Sequence, residues 1–235
     1  MWDNPRLLNA LAGFLVGLVG LAFALVAMQM LVRSSLWPLR EVMVVGELKH
    51  TTRAEVEAML DGRVAGNFFS AELGEVRAAV ERLPWVRRAG VRRVWPDRLE
   101  VTIEEHVALA RWGDSMLLNT FGERFAGKSD ARLPQLAGPP GTEAEVARRY
   151  AAFARSLAPL GTPLEQVVLT PRFAWQLRLG NGVQLALGRD TDAAQARLER
   201  FVQTFSAPES GAARYDYVDL RYPNGFALRL REARS

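Results

Sequence analysis

The sequence contains no cysteine, which excludes disulfide staples, thiol nucleophiles and zinc sites built on thiolates. It contains two histidines, His50 and His106, so a histidine-rich metal centre cannot be assembled. A serine, histidine and aspartate relay would have to use one of that pair, and the glycine pattern of a nucleophile elbow is missing. No phosphate-cradling glycine loop occurs either. Charge of one sign is also lacking: 30 basic residues stand against 26 acidic ones, a net charge of +4 spread along the chain. That balance does not point to nucleic acid. No catalytic residue, metal, cofactor or small-molecule substrate is expected, and the chain reads as a protein that is not an enzyme.

What the chain has in quantity is apolar surface, 49% of its residues, and a long stretch of it comes first. From Leu7 to Val32 there is no charged side chain, and Asn9 and Gln29 are the strongly polar members. About 20 apolar residues in a helix span the hydrocarbon core of a bilayer. Gly13, Gly17 and Gly20 within the run are common in such spans, although costly in a water-exposed helix. A cleaved signal peptide is the alternative, but its apolar core is typically ~7–15 residues. A buried core helix would need a small protein to enclose so long a run on every side. Arg6 and the terminal amine precede the run while Arg33 and Arg40 follow it, so charge alone leaves the orientation open. The small pair Gly13 and Gly17 suits close packing on another helix, and equally occurs in spans that pair with nothing.

After the span, the β-branched segment Trp37 to Gly46 reads as a strand. A helix follows, capped by Thr51 or Thr52, with Val56, Met59 and Leu60 as its apolar stripe and Gly62 as its stop. Ser70 is expected to cap a second helix, in which Leu73, Val76, Val80 and Leu83 share one face until Pro84 ends it. Val86 to Val94 is a strand, Trp95-Pro96-Asp97-Arg98 a turn, and Leu99 to Val107 a strand with Leu99, Val101 and Ile103 facing inward. The order βααββ resembles the POTRA domain, a small module of envelope proteins that binds polypeptide segments. Arg87, Arg88, Arg92, Arg93 and Arg98, with Trp85 and Trp95 between them, suit either an anionic surface or a solvated strand face. Glu100, Glu104 and Glu105 opposite them favour the second, as cross-strand ion pairs.

Beyond Val107 the runs Ala108 to Trp112 and Met116 to Leu118, split by Gly113-Asp114, predict a hairpin. A loop through Leu133 to Gly141 leads to a helix from Glu143 to Leu157, capped by Thr142 and striped by Val146, Tyr150 and Phe153. Strands are expected at Leu164 to Thr170, Phe173 to Leu179 and Val183 to Leu187, the last two joined by Gly180-Asn181-Gly182. Ala193 to Phe205 is a helix with Leu198, Phe201 and Phe205 on one face. The strand from Tyr217 to Tyr222, the turn Pro223-Asn224-Gly225 and a strand from Phe226 to Arg231 close the chain. A terminal strand tends to lie at a sheet edge, where unpaired backbone groups invite a partner strand. On the residues alone, that reading and a plain last core strand stand level.

Leu83-Pro84-Trp85-Val86, Val91 to Leu99, Glu104 to Trp112, Gly188-Arg189 and Tyr217 to Gly225, taken in order, resemble the FtsQ/DivIB family of cell division proteins from the span to the last strand. The resemblance implies an α+β fold: a tail at 1–6, a transmembrane helix at 7–32, a POTRA domain at 37–107, and a mixed β-sheet domain with two helices at 108–235. It implies an inner-membrane protein of the division septum, N-terminus cytoplasmic and bulk periplasmic, that binds the FtsB and FtsL pair. FtsK, FtsW and FtsI are the further partners it implies. The matching partner-binding positions are Arg172, Arg221, Tyr222, Asn224 and Gly225, with Phe226, Leu228 and Leu230 on the docking strand. Arg172 and Arg221 match family arginines that face acidic FtsB residues, a task that suits planar guanidinium forks. Pro223 adds apolar character to the turn, and Leu230 stands where relatives can carry an aromatic side chain.

Overall fold

The computed structural model describes residues 5–33, 38–61, 67–205, 215–222 and 225–230. The chain divides into two compact units, Met1–Glu105 and His106–Ser235. Trp37, Gly62, Pro223, Asn224 and Arg231, which carry parts of the expected elements, lie outside the described residues.

In the first unit, helix α1 (Pro5–Arg33) runs slightly past both ends of the apolar stretch. Its segment Asn9–Leu31 is long and apolar enough to cross a membrane, and none of that window is buried. Five further elements follow: β1 (Glu41–Val45), α2 (Arg53–Leu60), α3 (Leu73–Val80), β2 (Val86–Val94) and β3 (Arg98–Glu105). The strands form a sheet in the order β1-β3-β2, with β1 parallel to β3 and β2 antiparallel to it. Thr52 caps α2 in a reciprocal box with Glu55: the Thr52 hydroxyl accepts from the Glu55 amide at 3.2 Å, and the Glu55 carboxylate accepts from the Thr52 amide at 2.7 Å. Two first-turn donors are thus satisfied.

Ser70 does not cap α3. Its hydroxyl oxygen accepts from the Asn67 amide at 2.9 Å, while Asn67 Oδ1 accepts from the amides of Phe69 and Ser70, so these two side chains close a turn on each other. The helix also stops at Val80, short of Leu83. Proline 84 explains that end, because it has no N–H for the Val80 carbonyl and its ring would collide with it. Leu83 still packs on the core formed by Val56, Val76, Val80, Val101 and Ile103.

Of the three glutamates expected to answer the arginines, two do so. Glu100 takes Arg92 in two hydrogen bonds at 2.7 and 2.8 Å, and Glu104 takes Arg87 at 2.6 Å. Glu105 instead accepts from the backbone amides of Lys49, His50 and Thr51. Burial opposes its ionisation, but those donated bonds outweigh it and hold the carboxyl below the usual range.

The second unit is built on a nine-stranded sheet in the order β12-β11-β10-β9-β8-β7-β4-β5-β6. Its strands are β4 (Ala108–Trp112), β5 (Met116–Asn119), β6 (Arg124–Phe125), β7 (Gln135–Ala137), β8 (Leu164–Leu169), β9 (Trp175–Leu179), β10 (Gln184–Gly188), β11 (Tyr215–Asp219) and β12 (Ala227–Leu230). The expected loop before Glu143 therefore contains a strand, β7, which lies parallel to both β4 and β8 in mid-sheet. Three residues between Pro134 and Gly138 are too short to show alternation, so nothing in the local pattern marks it.

Helices α4 (Glu143–Leu157) and α5 (Thr191–Phe205) supply the other half of one core, in which Val146, Phe153, Leu198 and Phe201 meet Leu136, Val167, Trp175 and Leu185. Thr142 precedes α4 but does not cap it with its side chain; the hydroxyl donates to the Pro139 carbonyl at 2.7 Å. Between β9 and β10 the Gly180-Asn181-Gly182 turn forms as the residues suggest. Asn181 Oδ1 accepts from the Val183 amide, and Gly182 takes a φ of 90° that a side chain would resist.

Candidate protein-binding interface

The last strand stands at an edge. β12 pairs antiparallel with β11, Leu228 opposite Val218 and Ala227 opposite Asp219, and among the described residues it is hydrogen-bonded to no other strand. Because side chains alternate, Phe226, Leu228 and Leu230 share the face that Val218 turns to the core. Along that row the cover runs out. Phe226 packs on Phe201 and Phe205 of α5, whereas Leu228 is 38% and Leu230 65% exposed. Phe226 is therefore partly a core residue, and the two leucines form the open end of the stripe.

The turn side of β11 is organised by a buried acid. Asp219 is 5% exposed, and its carboxylate accepts from Arg221 Nε at 2.8 Å and Nη2 at 2.5 Å. The bonds from Arg221 outweigh burial and hold the Asp219 carboxyl below the usual range. They raise the guanidinium's own pKa further. Gly188 makes room for this arginine: its φ is 85°, and a Cβ there would lie 3.3 Å from Arg221 Cγ. Tyr222 follows, 55% exposed, and Gly225 has open space where a Cβ would sit. Asn224 lies outside the described residues.

Removing Arg221 strands Asp219, and the consequence depends on pH. Since the folded-state pKa of Asp219 is depressed, its ionisation favours folding above the unfolded-state pKa of ~3.9. That contribution fades as the pH falls through the lower folded-state value. Arg221→Ala is expected to destabilise the second unit at pH 7 and progressively less below about pH 4. Denaturant titrations of both proteins across that range measure this; a difference independent of pH would show that Asp219 is not the group involved. Arg221→Glu would set a second carboxylate beside the first and so perturb stability along with any binding.

Arg172 behaves differently. It sits exposed in the turn between β8 and β9 and makes no hydrogen bond or ion pair with any described residue. The strand expected to begin at Phe173 begins at Trp175, because Thr170 closes the turn: its carbonyl accepts from the Phe173 amide and its hydroxyl from the Ala174 amide. Phe173 is left with a φ of 57° and 57% of its surface exposed. A left-handed conformation costs a non-glycine residue roughly 1–2 kcal/mol. Gly188 pairs with Trp175, and Ala186 with both Gln176 and Asp219. The register thus carries the Arg172 turn and the Arg221 corner to the same end of the sheet, about 10 Å apart at two strand spacings. Phe173 and Asp219 belong to this site and were not singled out by the sequence. A Thr-Pro-Arg-Phe turn ending in a left-handed aromatic has no compositional signal, and a buried aspartate beside an arginine reads locally as a solvated pair.

Neither histidine is placed for chemistry. His50 stacks on Trp85 at 3.6 Å between ring centres, and His106 stacks on Phe125 at 4.2 Å with its Nδ1 beside Asn119 Nδ2. Glu104 is paired with Arg87, and β3 ends at Glu105, before His106. Among the described residues there is no group of three metal-ligating side chains.

Comparison with known proteins matches residues 37–106 to "POTRA domain, FtsQ-type" and residues 110–221 to "Cell division protein FtsQ/DivIB, C-terminal". Cell division protein FtsQ of Nitrosospira multiformis is 44% identical over 97% of this chain and 99% of its own length. The FtsQ of Burkholderia pseudomallei is 42% identical over 97% and 94%, and that of Neisseria gonorrhoeae 30% identical over 97% and 95%.

Proposed function

The chain belongs to the FtsQ/DivIB family of cell division proteins, and from that premise we propose that it is a non-enzymatic scaffold of the division machinery. Its apolar helix crosses the inner membrane once, with the short tail in the cytoplasm and both folded units in the periplasm at the septum. Residues 37–107 form the POTRA domain, which meets upstream partners such as FtsK, and FtsW and FtsI are further partners of the chain. Residues 108–235 form the domain that takes FtsB together with FtsL.

The observation that carries the docking site is the edge position of β12 with Leu228 and Leu230 uncovered. An edge strand offers a row of backbone donors and acceptors, so an incoming strand gains main-chain hydrogen bonds, and its side chains are selected by what lies beside the edge. The opposite edge, β6, has only two residues and gives a partner little to pair with. At the β12 edge, Tyr222 supplies an aromatic anchor. Arg172 supplies an uncommitted guanidinium for a partner carboxylate. Asp219 already occupies Arg221, whose role is to shape the corner and to present whatever donor capacity that pairing leaves.

Arg172→Glu tests the charge contact without touching the fold. With the full chain in nanodiscs, the substitution is expected to weaken binding of the periplasmic FtsB segment by roughly tenfold or more, about 1.4 kcal/mol. A lysine in place of the opposing FtsB carboxylate is expected to recover part of the loss. Equal affinity of wild type and Arg172→Glu would remove Arg172 from the site.

A further inference from the structure

The β2–β3 turn and the loop at 67–71 of the first unit have no part in that reading, yet they carry that unit's exposed aromatic side chains. Among its described residues outside α1, Trp95 is 71% and Phe69 45% exposed, and the remaining large exposed apolar residue is Val45. A tryptophan left this open is unusual in a folded unit. The two rings lie at the same end of the sheet: Arg93 Nη2 donates to the carbonyls of Phe69 at 3.2 Å and Ala71 at 2.7 Å, tying the loop to the hairpin.

That end is also where the chain arrives from α1. Pro38 is bridged to Asn67, and the Arg40 amide donates to the Asp97 carbonyl at 3.0 Å. From Arg33, the last residue of α1, five residues reach Pro38 and seven reach Arg40. Fully extended, these tethers span at most ~18 Å and ~25 Å. If α1 crosses a bilayer, these tethers keep the sheet end that carries both exposed rings within reach of the membrane surface, however the linker is shaped.

We propose that Trp95 and Phe69 are a membrane-interface anchor that seats the first unit on the outer surface of the bilayer α1 crosses. The inference rests on α1 being a membrane span. A tryptophan ring, apolar with one N–H, settles at the headgroup level, and a phenylalanine beside it inserts as plain apolar surface at the headgroup and acyl boundary. Arg40, Arg92, Arg93 and Arg98 surround the rings, but Asp97, Glu100 and Glu41 answer three of them. The patch is thus close to neutral, which suits an interface of zwitterionic and anionic lipids and does not suit nucleic acid.

The cysteine-free chain makes the test direct. Single-cysteine variants Phe69→Cys, Lys49→Cys and Leu18→Cys of the full chain, labelled with an environment-sensitive nitrobenzoxadiazole dye, are reconstituted in phosphatidylcholine vesicles containing lipids spin-labelled near the headgroup or at the chain end. Position 18 is expected to be quenched strongly by the chain-end lipids. Position 69 should be quenched by the headgroup-proximal lipids at least twofold more than position 49, which follows the far end of β1. Adding Trp95→Ser to Phe69→Cys should bring quenching down to the position 49 level. Quenching at 69 no greater than at 49, with position 18 quenched, overturns the anchor alone. An unquenched position 18 overturns the span and the anchor with it.

Discussion

Replacing Tyr222 by alanine together with Leu230 by aspartate is expected to weaken association with the periplasmic FtsB segment by at least ~30-fold, about 2 kcal/mol, the scale of an interface hot spot. Stability of the second unit should change by less than about 0.5 kcal/mol, as is usual for exposed positions away from caps and buried partners. Both residues are more than half exposed, so neither substitution opens the core. The aspartate acts twice: it removes an apolar contact at the open end of the Phe226-Leu228-Leu230 stripe, and it sets a charge where a partner would exclude water. Phe226→Ala would be a poorer probe, because Phe226 touches Phe201 and Phe205 and its loss would loosen α5 as well as the docking strand. Isothermal titration in nanodiscs alongside chemical denaturation separates the two effects. Unchanged affinity in the double variant would move the interface away from this edge.

The largest effect on stability is expected from Trp175→Ala, which should cost the second unit about 3–5 kcal/mol, the range for emptying an aromatic site in a core. Trp175 is 1% exposed, and its ring meets Phe153 of α4 edge to face at 5.5 Å between centres. It opens β9 opposite Gly188 and Leu169, so it holds the sheet end that carries both the Arg172 turn and the Arg221 corner. The melting midpoint of the second unit should fall by roughly 10–20 °C, and partner binding should fall with it as the temperature approaches the new midpoint. The first unit has its own core, and its transition should not move. A loss under 1 kcal/mol in calorimetry would mean that neighbouring side chains refill the site.

Which parts of this were legible in the chain follows from how local their causes are. The span, the two long helices of the second unit and the β2–β3 hairpin rest on periodicity and turn chemistry within a few residues of each element, so their bounds are legible to within about two residues. Thr51 and Thr52 are both readable as caps from their hydroxyls, and the box with Glu55 decides for Thr52. Ser70 and Thr142 also place a hydroxyl before a helix and are not caps, because Asn67 and the Pro139 carbonyl engage their hydroxyls. β7 leaves no local mark because its three residues are ordered by β4 and β8, both distant in sequence. At the site, the order of the elements gave the edge position of the last strand. The pairing of Arg221 with a buried Asp219 and the strained, exposed Phe173 depend on the sheet's register, which no short stretch encodes.

Amide hydrogen exchange across β12 tests the docking strand most directly. The full chain in nanodiscs is compared with and without saturating FtsB segment, and exchange is followed at Ala227, Leu228, Arg229 and Leu230. An added strand would cover the alternate amides that point away from β11, so exchange at those should slow by at least tenfold, while β9 and β10, already mid-sheet, should change little. Saturable binding that leaves the outward-pointing amides of β12 exchanging as before, with protection appearing elsewhere, would contradict strand addition at this edge.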